Sequence, residues 1–271
     1  MRMKDKVVLV TAAANGIGLA CATICAKEGA SVYLADYAFD LAKERAAALT
    51  AQGFKASALY FNALEKETHA AVVNEVIKNE GKIDGLVNVY GGTTAGKDKT
   101  IFEESYEDFI RFVDNHLASV FITTQAAVRS MAATGGGSIV NIASISGVAP
   151  DLTSIAYGTS KAAIIYLTKQ IAVQAARANI RCNSVAPGMT ATDAVKKHVT
   201  AEFQEFFLRH TPIKRMAEPE EIAAAVLYFL SDESAYTTGQ NITISGGFSL
   251  AQPTFADMMA MAGTQLKDAE S

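Results

Sequence analysis

Short unbroken apolar runs alternate along the chain with longer stretches in which apolar residues recur every three or four positions. Val7–Val10 is valine-rich and too short for a helix, and Ile17–Lys27 after it reads as a helix. The same couplet repeats. Val32–Ala35 precedes the Ala-rich, charged helix pattern Ala38–Ala51, and Ala56–Phe61 precedes the amphipathic stretch Lys66–Asn79, with Val72, Val73, Val76 and Ile77 on one stripe. Asp84–Val87 precedes a long helical pattern from about Tyr106 to Ala132, which Gly135–Gly137 breaks. Ser138–Ala143 precedes the helix pattern Ile155–Arg177, and Ile180–Val185 is a sixth strand. Pro219–Leu230 is a helix with proline well placed in its first turn, and Asn241–Ile244 is the last strand.

Strands without apolar–polar alternation, each followed by a helix, predict a parallel sheet covered on both faces. The expected fold is therefore α/β: a single doubly wound, Rossmann-like domain of about seven parallel strands with helices on both faces. No linker or internal repeat divides the chain, so residues 1–248 are expected to form one catalytic domain, with 249–271 as a tail: a docked arm, a lid or frayed chain. The stretch Pro187–Arg215 lacks strong periodicity and predicts a mobile excursion outside the sheet, a substrate loop at about 188–215.

The chain has 271 residues, 50% of them hydrophobic and 19% charged, which supplies a sizeable core and excludes general disorder. A net charge of −4 without a basic block argues against nucleic acid, whose phosphates need clustered Lys and Arg. The most apolar helix pattern, Ala162–Ala176, is broken by Lys169, Gln170 and Gln174, so no membrane span is expected. Met1–Lys6 followed by Val7–Ala14 faintly imitates a signal peptide, but Asn15 and Gly16 end the apolar run after eight residues and a buried strand fits better. Cys21, Cys25 and Cys182 form an odd, sparse set, as in a reducing compartment, and a cytoplasmic protein is expected. Cys21 and Cys25 share a helix face with no His near them in sequence, so packing is expected rather than metal binding, and no metal site is expected.

The chemistry gathers at strand ends. After the first strand, Thr11–Gly18 carries Gly16 and Gly18 into a helix, letting an anion approach the free N–H groups of its first turn. Glycines also mark such turns where nothing binds. At the end of the second strand, Asp36 stands where a dinucleotide fold places the adenosine ribose. A carboxylate there accepts from both ribose hydroxyls and repels a 2′-phosphate, and Ala35–Ala38 holds no Arg or Lys to receive one, which favours NAD over NADP. The alternative is that Asp36 only caps the next helix. Tyr157 and Lys161, four apart, share a helix face. To act as a base near neutral pH the tyrosine needs about three units of pKa depression, part of which an ammonium supplies. Ser144 ends the strand thirteen residues upstream, and Asn115 is an unexplained Asn inside a helix.

Together these residues resemble the short-chain dehydrogenase/reductase family across about residues 4 to 248. The likeness lies in the turn Thr11–Gly18, the fourth-strand motif Asn88–Gly91, the tetrad Asn115, Ser144, Tyr157 and Lys161, and Pro187-Gly188 with Thr192 after it. Within the family, the stretches Asn141–Asp151, Arg181–Asp193, His210–Ile222 and Ser249–Met258 resemble gut-bacterial, clostridial 7α-hydroxysteroid dehydrogenases acting on bile acids. The resemblance implies an NAD-dependent enzyme interconverting a steroid hydroxyl and ketone by hydride transfer, with Tyr157 as base, Lys161 lowering its pKa, Ser144 bonding the substrate oxygen and Asn115 positioning a water. It implies cofactor contacts at Thr11, Asn15, Gly16, Ile17, Gly18, Asp36, Asn62, Ala63, Asn88, Tyr157, Lys161, Pro187, Gly188, Thr190 and Thr192. It also implies a homotetramer built on the helices at 106–132 and 155–177 and on the region of the last strand.

Ala12 replaces a usual glycine, so the turn is expected to carry a Cβ at negative φ. Val89-Tyr90 replaces Asn-Ala, and Tyr90 is a candidate for the substrate pocket. Asn62 replaces a frequent Asp near the adenine. A steroid needs an apolar slot, for which the candidates are Thr190–Phe207, with Phe203, Phe206 and Phe207 as a cover, and Gly91–Asp98. Such a Phe stripe is more often core or a subunit contact than a cover. His116 and His210 are weighed as partners of a bile-acid carboxylate against packed or solvated side chains, and packing or solvation is the expectation for each. The rival readings are a 12α- or 3α-hydroxysteroid dehydrogenase, an oxidoreductase for another alcohol such as a 3-oxoacyl thioester, a sugar or an aromatic dihydrodiol, and a non-catalytic nucleotide sensor.

Overall fold

Seven parallel strands form one sheet in the order β3-β2-β1-β4-β5-β6-β7. They are β1 (Val7–Thr11), β2 (Ser31–Asp36), β3 (Lys55–Tyr60), β4 (Gly85–Asn88), β5 (Gly137–Ile142), β6 (Ile180–Pro187) and β7 (Asn241–Ile244). The helices between them are α1 (Gly16–Lys27), α2 (Phe39–Ala51), α3 (Lys66–Glu80), α4 (Tyr106–Thr134), α5 (Ile155–Ala175), α6 (Asp193–His198), α7 (Ala201–Arg209) and α8 (Pro219–Leu230); α9 (Phe255–Met261) follows the sheet. The computed structural model describes residues 1–91, 98–248, 250–252 and 254–261. The expected doubly wound sheet is therefore what the chain forms. Its order reverses between β1 and β4, the switch point over which such folds bind ligands.

The absence of alternation in the strand sequences has a direct cause. Along β1, Val8 and Val10 enter an apolar cluster with Cys21, Ala22, Cys25, Val226 and Phe229 on the α1–α8 face. Val7 and Leu9 enter a second cluster with Val73, Val76, Ala127, Met131 and Ala172 on the α3–α4–α5 face. Successive side chains point to opposite faces, and here both faces are dry. Cys21, Cys25 and Cys182 are free thiols inside these clusters. No helix among the described residues is long and apolar enough to cross a membrane.

Two differences from the sequence reading stand out. The stretch 187–215 is not an aperiodic excursion: it holds α6 and α7. Thr192 and Thr200 cap them, accepting from Val195 N–H at 3.2 Å and Phe203 N–H at 3.2 Å. With six and nine residues, the two helices are too short for a periodic signal. This lobe leaves the sheet through a narrow neck, where Ala191 N–H donates to Ala217 O at 2.8 Å and Ala217 N–H to Met189 O at 3.0 Å. In addition, α5 ends at Ala175, and a single 3₁₀ turn, Ala176–Ala178, completes the predicted helix.

A buried polar ladder crosses the sheet beneath the switch point. Asn88 and Asn141 are register partners on β4 and β5, and Asn88 Nδ2 donates to Asn141 Oδ1 at 2.9 Å. Asn88 also donates to Thr124 Oγ1 at 3.1 Å and accepts from Thr123 at 2.8 Å, while Asn141 Nδ2 donates to Thr168 Oγ1 at 2.9 Å. The amides thereby lock α4 and α5 onto the strands that carry the candidate site.

Candidate active site

The turn from β1 into α1 is built for close backbone approach. A Cβ on Gly18 would lie 2.1 Å from Ala12 O, so only glycine fits. Gly16 adopts φ +53, and a Cβ there would meet Thr192 Cγ2 at 3.0 Å. Ala12 corrects the sequence expectation: its φ is +48, not negative, so the turn spends left-handed backbone on an alanine. Two hydrogen bonds hold it there, Ala13 N–H to Ala35 O at 3.2 Å and Ala14 N–H to Asp36 Oδ2 at 3.0 Å. Asn15 caps α1 without using its side chain, leaving the first-turn N–H groups at the positive end of the helix without a side-chain acceptor.

Asp36 is buried, and both its oxygens accept backbone bonds, from Ala14 N–H and, at 2.9 Å, from Ala38 N–H. The carboxylate therefore fixes the turn and the start of α2 together, and its remaining lone pairs stay available to a hydroxyl. Asn62 folds back on its own loop, accepting from Leu64 N–H at 3.0 Å and donating to Glu65 at 2.8 Å; Ala63 beside it is buried. Thr11 Oγ1 accepts from Val89 N–H at 3.0 Å, tying β1 to the end of β4. The Asn88 amide is spent on the ladder described above.

Beyond the ends of β4 and β5 the chain brings together Ser144, Tyr157 and Lys161. Ser144 opens a 3₁₀ turn, and its Oγ accepts from Ser146 N–H at 3.2 Å. Lys161 is 1% exposed; its Nζ donates to Ile142 O at 2.9 Å and Tyr90 O at 3.2 Å and lies 5.6 Å from the centre of the Tyr157 ring. Burial pulls the Lys161 ammonium down to about 7. Burial also pushes the Tyr157 phenol above its ordinary range; the Ser144 hydroxyl works the other way, and the Asp151 carboxylate adds to the rise. The protein's own groups thus do not give the phenol the depression expected from a neighbouring lysine, because both groups are desolvated together and the ammonium is turned towards two carbonyls. Gly91, at φ +136, is required by this approach: a Cβ there would sit 2.5 Å from Lys161 Nζ.

Asn115 lies on α4, half-buried, and its amide makes no hydrogen bond with a described residue. His116, next to it, is 2% exposed and packs against the rings of Tyr90 (5.3 Å), Phe112 (4.5 Å) and Tyr157 (5.8 Å), with Ser160 Oγ 3.0 Å from its Nδ1. It therefore backs the tyrosine inside the protein. Tyr90 and Phe112 complete this wall of four rings. Gly188 donates its N–H to Ile244 O at 2.8 Å, and a Cβ on it would strike Ser245 Cα at 2.9 Å. This brings Pro187, Gly188 and Thr190 to the rim of the sheet, where the Thr190 hydroxyl bonds Gly188 O at 3.1 Å. Thr192 is the α6 cap already described.

Of the candidate cover, Phe203 and Phe206 on α7 are half-exposed, whereas Phe207 stacks flat on Phe248 at 4.1 Å. His210 packs edge-on to Phe206 at 5.5 Å. Residues 92–97 of the other candidate slot lie outside the described residues, as does the tail beyond Met261. Sequence reasoning missed Asp98, which bonds the first turn of α5 from a distant connection; neither composition nor periodicity signals that pairing.

Comparison with known proteins places the chain among oxidoreductases. A family model described as enoyl-(acyl carrier protein) reductase matches residues 11–249. A 7α-hydroxysteroid dehydrogenase of Clostridium sardiniense is 46% identical over 256 residues, covering 94% of this chain and 98% of the relative. One of Paraclostridium sordellii is 38% identical, covering 95% and 97%. Among solved structures, a 7α-hydroxysteroid dehydrogenase complexed with NADH and 7-oxo glycochenodeoxycholic acid superposes with a TM-score of 0.85 at 33% identity, covering 91% of this chain and 95% of that one.

Proposed function

The chain belongs to the short-chain dehydrogenase/reductase family and is an oxidoreductase acting on CH–OH groups, and on that premise we propose that it interconverts a bile-acid hydroxyl and ketone at the 7α position, with NAD as cofactor. The observation that carries this reading is the convergence of Ser144, Tyr157 and Lys161 at the strand ends of a chain similar over nearly its whole length to clostridial 7α-hydroxysteroid dehydrogenases.

The residues present fit a nicotinamide dinucleotide. The uncapped first turn of α1 and the glycine-only approach at Gly18 form a phosphate cradle, to which Thr11, Asn15, Gly16 and Ile17 belong. Asp36, Asn62 and Ala63 would hold the adenosine end, the backbone beside Asn88 the middle, and Pro187, Gly188, Thr190 and Thr192 the carboxamide. The preference for NAD rests on Asp36, a buried carboxylate in a segment, Ala35–Ala38, without a cation. The bound cofactor supplies the hydride acceptor and a positive ring that favours the phenolate.

The protein's part is placement and proton transfer. Ser144 Oγ and Tyr157 Oη hold the substrate oxygen between them. Tyr157 takes the hydroxyl proton as the carbinol carbon gives up hydride, and returns it in the reverse direction. Lys161, brought to about 7 by burial, accepts and releases a proton near neutral pH and keeps one N–H beyond its two carbonyl partners for a ribose hydroxyl. Asn115 offers its uncommitted amide to a water on the route out. Phe203 and Phe206, half-exposed on the α6–α7 lobe, provide apolar surface for a flat ligand. The exposed apolar residues Phe121 on α4 and Tyr166 and Val173 on α5 support a homotetramer, and the buried free thiols suit the cytoplasm.

The test follows NADH formation with lithocholate, deoxycholate, chenodeoxycholate and cholate, using NAD⁺ and NADP⁺ in turn. Turnover of chenodeoxycholate and cholate alone is the expected result. Activity on deoxycholate and cholate alone moves the site to C12, and activity on all four moves it to C3. A higher catalytic efficiency with NADP⁺ than with NAD⁺ overturns the role given to Asp36.

A further inference from the structure

Helix α5 carries Tyr157 and Lys161 but has no cap of its own. Ser154, before it, adopts a left-handed φ of 65, and its side chain caps nothing. The connection between β4 and α4 satisfies the first turn instead. Ile155 N–H donates to Lys99 O at 3.2 Å, Ala156 N–H to Asp98 Oδ1 at 3.0 Å, and Tyr157 N–H to Asp98 Oδ2 at 2.8 Å. Asp98 is buried, and both its oxygens are engaged. The same connection begins after Asn88 and includes Tyr90, whose carbonyl accepts from Lys161 Nζ. One connection therefore holds both chemical residues of α5, the lysine from its first residues and the tyrosine from Asp98.

We infer that Asp98 is a positioning residue for Tyr157: its carboxylate, bonded to two successive N–H groups of the α5 first turn, sets where the phenol oxygen stands relative to Ser144. The inference rests on the dehydrogenase reading above. Tyr157 is the third residue of its helix, so a shift or fraying of the first turn moves the phenol directly. Charge-assisted bonds to helix N–H groups are short and strong, and a carboxylate suits the positive end of the helix. Misplacing a reacting group by about 1 Å can cost on the order of a hundredfold in rate. A cap that served stability alone would leave the catalytic rate intact, and this separates the two roles.

The experiment compares full-length wild type with Asp98→Ala and Asp98→Asn on whichever hydroxysteroid or other alcohol the wild type oxidises. It measures kcat, KM, NADH affinity by fluorescence and melting temperature. Asp98→Ala should lower kcat by about tenfold to a hundredfold with NADH affinity unchanged. Asp98→Asn, which keeps one acceptor oxygen, should recover part of the loss. If Asp98→Ala does not fold, Asp98→Asn and Asp98→Ser carry the test by the same comparison. A kcat equal to wild type with a lowered melting temperature overturns the proposal and leaves the activity standing. So does a loss of NADH affinity as large as the loss of kcat, which marks general disruption. A wild type silent on every alcohol overturns the activity and the proposal together.

Discussion

Tyr157 is partly buried and Lys161 fully so, and desolvation makes each resist the charge the proposed chemistry needs. The phenol is pushed up and the ammonium pulled down to about 7. Replacing Tyr157 by Phe keeps the ring that packs on His116 and removes only the acidic oxygen. Turnover should fall below about a tenth of wild type while NADH still binds, as measured by fluorescence titration beside the rate assay. A larger residual rate rules out Tyr157 as the base. The Lys161 shift also makes a stability prediction. Below about 7 the lysine is charged in both folded and unfolded chains, and the folded state bears the full cost of a buried ammonium. Between about 7 and the ordinary 10.5 the unfolded chain binds more protons, so this cost shrinks as pH rises. Lys161→Met should therefore be stabilised relative to wild type most at and below neutral pH. The difference should narrow by up to about 1.4 kcal/mol per pH unit above it, as read from urea unfolding of both proteins at several pH values.

At the scale of elements, β4, β5, α4 and α5 are joined by amides rather than by apolar contact alone. Asn141 both accepts from Asn88 and donates to Thr168, so it bridges a strand and a helix. Asn141→Ala would leave one buried N–H of the Asn88 amide without its acceptor and take from the Thr168 hydroxyl the donor it accepts, while Thr168 keeps its bond to Ile164 O at 2.8 Å. The expected loss is about 1–3 kcal/mol, measured as a lower urea midpoint with unchanged slope. An unaffected midpoint would mean that water or a rearranged Thr124 replaces the lost partner. The α6–α7 lobe stands in contrast. It meets the sheet through the Met189–Ala191 and Ala217 neck and leans on the far side against Phe248. Its return is tied to the segment after β7 as well, Ile213 N–H donating to Gly246 O at 2.9 Å.

For the whole molecule, the parallel sheet places every strand's C-terminal end at one edge, so residues far apart in sequence share one crevice. Asp36 comes from β2, Ser144 from the turn after β5, Tyr157 from α5, and Gly188 from the turn after β6. The outer faces of α4 and α5 keep Phe121, Tyr166 and Val173 exposed, although these helices bury their other sides on the sheet. Light scattering should give a mass near four chains for wild type. Tyr166→Glu combined with Val173→Glu should give a smaller species, because a charge buried in an apolar contact without a partner is costly. An unchanged mass would place the subunit contact elsewhere.

Periodicity, with Gly and Pro as punctuation, determined the alternation of the seven strands with the longer helices, because runs buried on both faces and one-sided helices leave different repeats in the sequence. The residue types and spacings also marked Asp36 and Ser144, at strand ends, and Tyr157 and Lys161, one turn apart on a helix face. What periodicity could not carry was local or long-range. The helices at 193–198 and 201–209 are shorter than the repeat that would reveal them. The left-handed φ of Ala12 is imposed by bonds from the next strand, not by the residue itself. Burial of His116 against Tyr157, the spending of Asn88 on Asn141, and the hold of Asp98 on α5 depend on which segments the fold brings together. The sequence fixes each side chain's capacity for such contacts; only the packed sheet and helices choose the partner, because hydrogen bonding and desolvation act through space and not along the chain.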